Sequence, residues 1–258
     1  MLATRVIPTL LLRNTGLVKG VNFKNHKYVG DPINAVKIFN EKEVDELVFL
    51  DISATQEGRK PNYELLADIA SQAFMPFGYG GGLSNVPDIE KLFKIGVEKA
   101  ILNSAAVDDL VLISEASTVA GSQSIVVSID VKKSLFGKYH LYTKSGQVNT
   151  KLDPIDFAKR AEDAGAGELL LCSIDREGTG QGYDEALIAR ITSSVNIPVV
   201  AAGGAGNLQH FKQAVAAGAS AVAAGDMFIF HGKHKAVLIT YPEYNELENL
   251  FKGDELNG

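Results

Sequence analysis

Four residue pairs in this chain recur at one spacing. Pro76 and Pro198, Gly81 and Gly203, Gly96 and Gly218, and Glu46 and Glu168 each stand 122 residues apart. In a chain of 258 residues, an offset near half the length points to two copies of one pattern. The wider context agrees, because Ile52 to Arg59 followed by Met75, Pro76 and Gly80 to Gly82 returns as IDREGTG followed by Ile197, Pro198, Gly203 and Gly204. The fold has to be one that two equivalent halves, about 1–122 and 123–245, can build together.

Each half carries four apolar runs bounded by turns. They are Arg5 to Leu11, Glu46 to Asp51, Met75 to Tyr79 and Lys99 to Leu102, then Ser124 to Asp130, Glu168 to Ser173, Pro198 to Ala202 and Ala219 to Ala224. These runs are continuous rather than alternating, as expected of parallel strands buried on both faces. Between them lie amphipathic patterns such as NAVKIFNEK and PIDFAKRAEDAG, several opening at Asp, Asn or Pro and closing at Gly, which is the chemistry of capped helices. Eight such alternations predict one α/β domain, a single (β/α)8 TIM barrel with a twofold half-barrel repeat. A doubly wound open sheet is the rival arrangement. An apolar content of 46% suffices for one large core. The tail, 246–258, holds a short amphipathic stretch before a polar end and is expected to be disordered.

A net charge of −6 offers no field to hold a phosphate backbone, so nucleic acid is not an expected partner. No segment approaches the roughly 18 apolar residues that span a bilayer, and no membrane association is expected; the cytoplasm follows by default. The single cysteine, Cys172, reads as a reduced, buried strand residue. The five histidines show no metal spacing and no dinucleotide fingerprint is present, so neither metal nor cofactor is expected.

Reacting groups of such a barrel sit at the carboxyl ends of its strands. The polar residues there are Asp51, Asn103 with Ser104, Asp130, Asp175 with Glu177, and Asp226. Any one of these carboxylates can equally cap a helix or order a loop. Asp130 stands apart because it ends the run IVVSID, where partial desolvation raises a carboxyl pKa and suits acid/base work. At the matching end of the first strand the chain has Leu11. Gly80 to Gly82, and Gly203 with Gly204, open toward helix N-termini, where backbone amides make anion nests or simply tight turns. With Asn103, Ser104 and Gly178 they give an expected phosphate-binding set of Gly81, Gly82, Asn103, Ser104, Gly178, Gly203 and Gly204. Asp226, in the second half, is a repulsive neighbour for a phosphate. At the amino ends of the strands Arg5, Glu46, Lys99 and Glu168 are either a ring of ion pairs about the axis or four solvated charges.

Nearly the whole chain resembles the HisF family, the cyclase subunits of imidazole-glycerol-phosphate synthase, through RVIP, VKGVNF, DELVFLDISA, YGGGLS, NSAAV, GSQSIVVSIDVK, SIDREGTGQGYD and AAGGAG. The resemblance implies a substrate with two phosphates and a HisH-like glutaminase docked at the amino-terminal face. It also implies ammonia passing along the axis through a charged gate, on which Arg5, Glu46, Lys99 and Glu168 fall. Lys19 and Asp130 fall on residues that the family uses in catalysis. The family's second aspartate is missing, since IPTLLL stands where it reads IPCLDV, and Cys172, Ala202 and Glu177 replace Thr, Ser and Asp.

The TLLL run, the stretch from NFKNHKYVGDP to LDISAT, and the SLFGKY insertion resemble the HisF-like branch associated with surface-polysaccharide sugar amidation. That resemblance implies a barrel that passes ammonia from a glutaminase to a third, ATP-using amidotransferase acting on an acetamido sugar. The alternatives are a true cyclase of histidine biosynthesis and a barrel that binds a phosphorylated small molecule without turnover.

Overall fold

A computed structural model describes residues 4–232 and 234–252. Eight parallel strands, β1 (Arg5–Arg13), β2 (Leu47–Asp51), β3 (Phe77–Gly80), β4 (Lys99–Leu102), β5 (Ile125–Lys133), β6 (Glu168–Ser173), β7 (Val199–Ala202) and β8 (Ala221–Ala224), pair in chain order. The sheet closes where β8 returns to β1, with Ala221 opposite Arg5. Helices between the strands cover it: α1 (Pro32–Glu41), α2 (Tyr63–Gln72), α3 (Val86–Lys94), α4 (Val111–Ala120), α5 (Pro154–Asp163), α6 (Glu185–Thr192) and α7 (Leu208–Ala216). Closure excludes the open-sheet rival and gives the TIM barrel.

The repeat reaches the helix caps. Asp31 and Asp153 cap α1 and α5 ahead of Pro32 and Pro154, Asn62 and Asp184 cap α2 and α6, and Asn85 and Asn207 cap α3 and α7, each side chain accepting a backbone N–H. Losing one such cap costs about 1 kcal/mol. The turn glycines also match. A Cβ on Gly82 would lie 2.5 Å from Arg59 O, and one on Gly204 would lie 2.1 Å from Gly182 O, both at positive φ. Gly204→Ala is therefore expected to cost about 2–3 kcal/mol in urea unfolding, combining backbone strain with a clash against backbone. Gly58→Ala, at φ 64° with open space around it, should cost only about 1 kcal/mol.

Two apolar layers hold the barrel. Inside it, Ile7, Val48, Ile101, Val126, Leu170 and Val200 meet around the axis. Outside it, the other face of each strand packs on the helices, with Phe39, Phe49, Phe77, Phe157 and Phe211 fully buried. Having both faces covered is what made the strands read as continuous apolar runs.

Several boundaries move. Strands β2, β3, β5, β7 and β8 begin one or two residues later than the apolar runs suggest. Pro76 and Pro198 have no N–H to give the ladder; their carbonyls accept from Leu47 (3.1 Å) and Leu169 (2.9 Å) instead. β1 and β5 run past the barrel into antiparallel extensions: Gly16–Val21 with Lys24–Gly30 on β1, and Tyr139–Thr143 with Val148–Asn149 on β5. The expected disorder of 246–258 is corrected over its first part, because Tyr244–Lys252 forms a helix, α8, that buries Leu247 in the outer core. Residues 253–258 lie outside the described residues. No described helix is long and apolar enough to cross a membrane.

Candidate functional site

The carboxyl ends of the strands enclose a cavity of about 400 Å³. Leu11 from β1 and Asp130 from β5 face it from opposite sides of the barrel, with Cys172 and Ala202 between them. Asp130 accepts a hydrogen bond from Ser128 Oγ at 3.1 Å. Burial pushes its carboxyl up to about 7; the Ser128 bond opposes this and the nearby Glu177 charge adds to it. A carboxyl poised there can give or take a proton near neutrality. On β1, Leu11 is 8% exposed and brings only hydrocarbon. Burial, helped by Glu177 and Asp130, also pushes the Cys172 thiol well up, so it is no nucleophile.

The raised pKa has a sign. A carboxyl that holds its proton more tightly folded than unfolded contributes stability below the unfolded pKa of about 4, which is lost as pH rises through about 7. Asp130→Asn should accordingly be more stable than the parent above pH 7, by about 2–3 kcal/mol after discounting for the open cavity. The two should converge near pH 4, read from urea midpoints across the range.

Lys19 reaches the mouth on the hairpin that follows β1. It is only 2% exposed and pairs with Glu177 at 2.9 Å. The hairpin is clasped further by Asn22 N–H donating to Glu177 O at 2.9 Å, and its Phe23 and His26 line the cavity. The sequence shows no strand here, because in the polar run KNHKYV only Val29 is buried and one residue gives no period; four of the six are exposed. Ser128 and Lys144 carry no signal of their own in the sequence, one being a small hydroxyl inside an apolar run and the other a loop lysine.

Of the expected phosphate set, Gly81, Gly82, Asn103, Ser104 and Gly203 line the cavity. Gly178 and Gly204 do not; a Cβ there would lie 2.4 Å from Gly20 O and 2.1 Å from Gly182 O. Asn103 Nδ2 donates to Ser128 O at 3.0 Å, and Ser104 Oγ accepts from Lys144 N–H at 3.1 Å. Asp51 is spent on its own turn, accepting from the Ser53 and Ala54 amides at 3.0 Å and pairing with Arg59 at 2.9 Å. Asp175 accepts from Lys133 N–H at 2.8 Å, and Asp226 pairs with Lys235 at 3.1 Å. Among the described residues no group of three or more His, Cys, Asp or Glu is placed to hold a metal.

At the opposite end of the axis Arg5, Glu46, Lys99 and Glu168 close into a ring. Arg5 donates to Glu46 and, at 2.5 Å, to Glu168; Lys99 Nζ lies 2.8 Å from Glu46 Oε1 and 3.0 Å from Glu168 Oε1. The side chains of Glu46 and Glu168 are only 6% and 9% exposed, so the reading of four solvated charges does not hold. Burial works against the Arg5 charge, but Glu168 and Glu46 outweigh it and hold its pKa above the ordinary value.

Residues 5–235 match a family model described as histidine biosynthesis protein. The chain is 50% identical over 252 residues to a Pseudomonas aeruginosa protein named "Putative imidazole glycerol phosphate synthase subunit hisF2", covering 96% of this chain and 99% of that one. It is 46% identical over 253 residues to a Leptospira interrogans HisF of similar name, covering 97% of this chain and 100% of that one. A HisF subunit of imidazole glycerol phosphate synthase from Endomicrobium trichonymphae is 46% identical over 228 residues, 88% of each chain. A closed barrel with a duplicated sequence, a carboxylate at its mouth and matches of this extent place the chain in the histidine biosynthesis protein family, as a HisF-like barrel.

Proposed function

We propose that this HisF-like barrel pairs with a HisH-like glutaminase at its amino-terminal face and conducts ammonia along its axis. The ammonia serves amidation of a nucleotide-linked or lipid-linked sugar in surface-polysaccharide biosynthesis, through a third, ATP-using amidotransferase, in the cytoplasm. The observation that carries this reading is the contrast between the two ends of the barrel. The ring of Arg5, Glu46, Lys99 and Glu168 is complete, while the mouth has Leu11 facing Asp130 where two-carboxylate acid/base chemistry needs a second acid. Conduction needs the first end; ring closure on a ribonucleotide needs the second.

A specific observation favours a second reading. Asp130 sits near pKa 7 close to Glu177, which pairs with the buried Lys19, an environment suited to proton transfer, so a slow cyclase of histidine biosynthesis is the alternative. The experiment that separates them supplies the purified chain and its glutaminase with the histidine-pathway ribonucleotide and ammonium. Conduction predicts turnover at least about 10²-fold below a HisF enzyme with both aspartates, the minimum that one positioned proton donor contributes. Turnover equal to that enzyme's overturns it.

A further inference from the structure

Two hairpins extend from the mouth end of the barrel, and their charge is the reverse of the chain's. Residues 13–30, which follow β1, hold Arg13, Lys19, Lys24 and Lys27, and residues 131–152, on β5 and beyond, hold Lys132, Lys133, Lys138, Lys144 and Lys151. Neither stretch has an Asp or Glu. Nine of the 25 Lys and Arg and none of the 31 carboxylates therefore lie here, in a chain whose net charge is −6. Lys19 is turned inward, over Gly225 and onto Glu177 at 2.9 Å; of the other eight, all but the half-buried Lys132 are exposed.

The hairpins are held together. Phe23 and Ser145 both line the cavity, and a Cβ on Gly146 would lie 2.9 Å from the Phe23 ring. Ser145 Oγ donates to Ile52 O at 2.7 Å and Gln147 Nε2 donates to Gln56 Oε1 at 2.8 Å, which ties the second hairpin to the loop after β2. The basic end is thus one preformed surface around the mouth.

Its most exposed feature is apolar. In the turn that ends β5, Ser134 N–H donates to Lys138 O at 2.8 Å, Gly137 N–H to Ser134 O at 2.9 Å and Lys138 N–H to Ser134 Oγ at 3.0 Å, with Gly137 at φ 81°. Ser134 and Gly137 supply the turn chemistry, so the two positions between them are open to any polar residue. They are Leu135 and Phe136, 103% and 98% exposed, with Lys133 and Lys138 on either side. Tyr28, on the first hairpin, is 69% exposed. Large apolar side chains held in water on a fixed turn contribute nothing to the fold and are ready to enter a pocket at little entropic cost.

We infer that the two hairpins form the docking surface for the protein that consumes the ammonia. Its docking face carries Asp and Glu carboxylates set about an apolar pocket, which receives Leu135 and Phe136. The charges of the two faces are then opposite, which orients the encounter and suppresses wrong partners. A protein spanning both hairpins also covers the mouth between them, so ammonia leaving the barrel passes to it and not to solvent. An anionic bilayer attracts the same lysines but offers neither a pocket for the tip nor an acceptor at the mouth. The inference rests on the conduction reading and adds the face and the chemistry by which the third protein engages.

The test titrates the purified ATP-using amidotransferase against the full-length chain with its glutaminase bound, followed by sedimentation velocity. Leu135→Ser/Phe136→Ser and, separately, Lys27→Glu/Lys138→Glu should each weaken amidotransferase binding at least about tenfold and leave glutaminase binding as it was. Raising NaCl from about 50 to about 300 mM should weaken binding to the unmodified chain by a similar factor, a reading that needs no variant to fold. No binding, binding indifferent to salt, or equal binding by both folded variants overturns the proposal. So does cosedimentation of the unmodified chain with vesicles of about 30% phosphatidylglycerol that Leu135→Ser/Phe136→Ser abolishes, since the tip then belongs to a lipid surface. An amidotransferase that takes ammonia from the chain yet binds both variants like the parent overturns this inference alone. Turnover of the histidine-pathway ribonucleotide at the rate of a two-aspartate HisF overturns the reading beneath it.

Discussion

Leu11→Asp is expected to raise turnover of the histidine-pathway ribonucleotide with ammonium by about 10² to 10⁴-fold over the parent chain, the range contributed by one positioned proton donor. The geometry supports a large effect. Position 11 faces the cavity across the barrel from Asp130, so an aspartate placed there completes a pair whose other member is already poised near neutrality. Cys172 and Ala202 bring no hydroxyl to the cavity, which keeps the gain short of a full enzyme's rate. Product formation followed by absorbance checks this, and no gain in a folded Leu11→Asp variant would show that the mouth no longer accepts that substrate. Such a variant should also lose stability above neutral pH, because a second carboxylate in the same cavity repels the first.

The second large effect lies at the other end of the axis. Arg5→Ala removes the only guanidinium in the ring and leaves Glu46 and Glu168 with Lys99 alone. Breaking a buried pair from one side costs about 3–5 kcal/mol, and with the Arg5 side chain 31% open to solvent the expected loss is nearer 2–3 kcal/mol. In a chain of this length that is a fall in Tm of about 5–10 °C. Arg5→Met combined with Glu46→Gln and Glu168→Gln should recover part of the loss, since the penalty comes from carboxylates left buried without a partner. In function, Arg5→Ala and Lys99→Ala should change glutamine-dependent product formation and leave ammonium-dependent formation as it was. Equal effects on both would count against conduction through the ring.

How much of this was legible in the sequence differs from element to element. The eight barrel strands were readable because both of their faces are buried, which forces long apolar runs. The hairpin that carries Lys19 was not, because Lys24–Gly30 has almost no buried face and so no hydrophobic period. The amphipathic stretch at Tyr244–Lys252 was visible as a pattern, but a polar end following it does not tell whether a helix docks; burial of Leu247 decides that. Asp130 was found because a charge ending an apolar run is conspicuous. Its partner Ser128, a small hydroxyl inside the same run, was not.

Legible in one dimension were the 122-residue repeat, the barrel, Leu11 standing where the second half has Asp130, and four strand-end charges that read either as a ring or as solvated groups. These follow from residue type, order and period, which survive in one dimension. Only the tertiary structure decided how those residues are spent. Four charges far apart in the chain become one closed ring, Asp51 turns inward to its own loop, Gly204 is consumed by packing against Gly182, and Lys19 comes to rest over Gly225 against Glu177. Each of those outcomes depends on contacts between segments apart in the chain, 22 residues for Gly204 with Gly182 and 158 for Lys19 with Glu177, or on the direction of a single side chain. Neither is encoded in local pattern; both are fixed when the sheet closes and brings β8 beside β1.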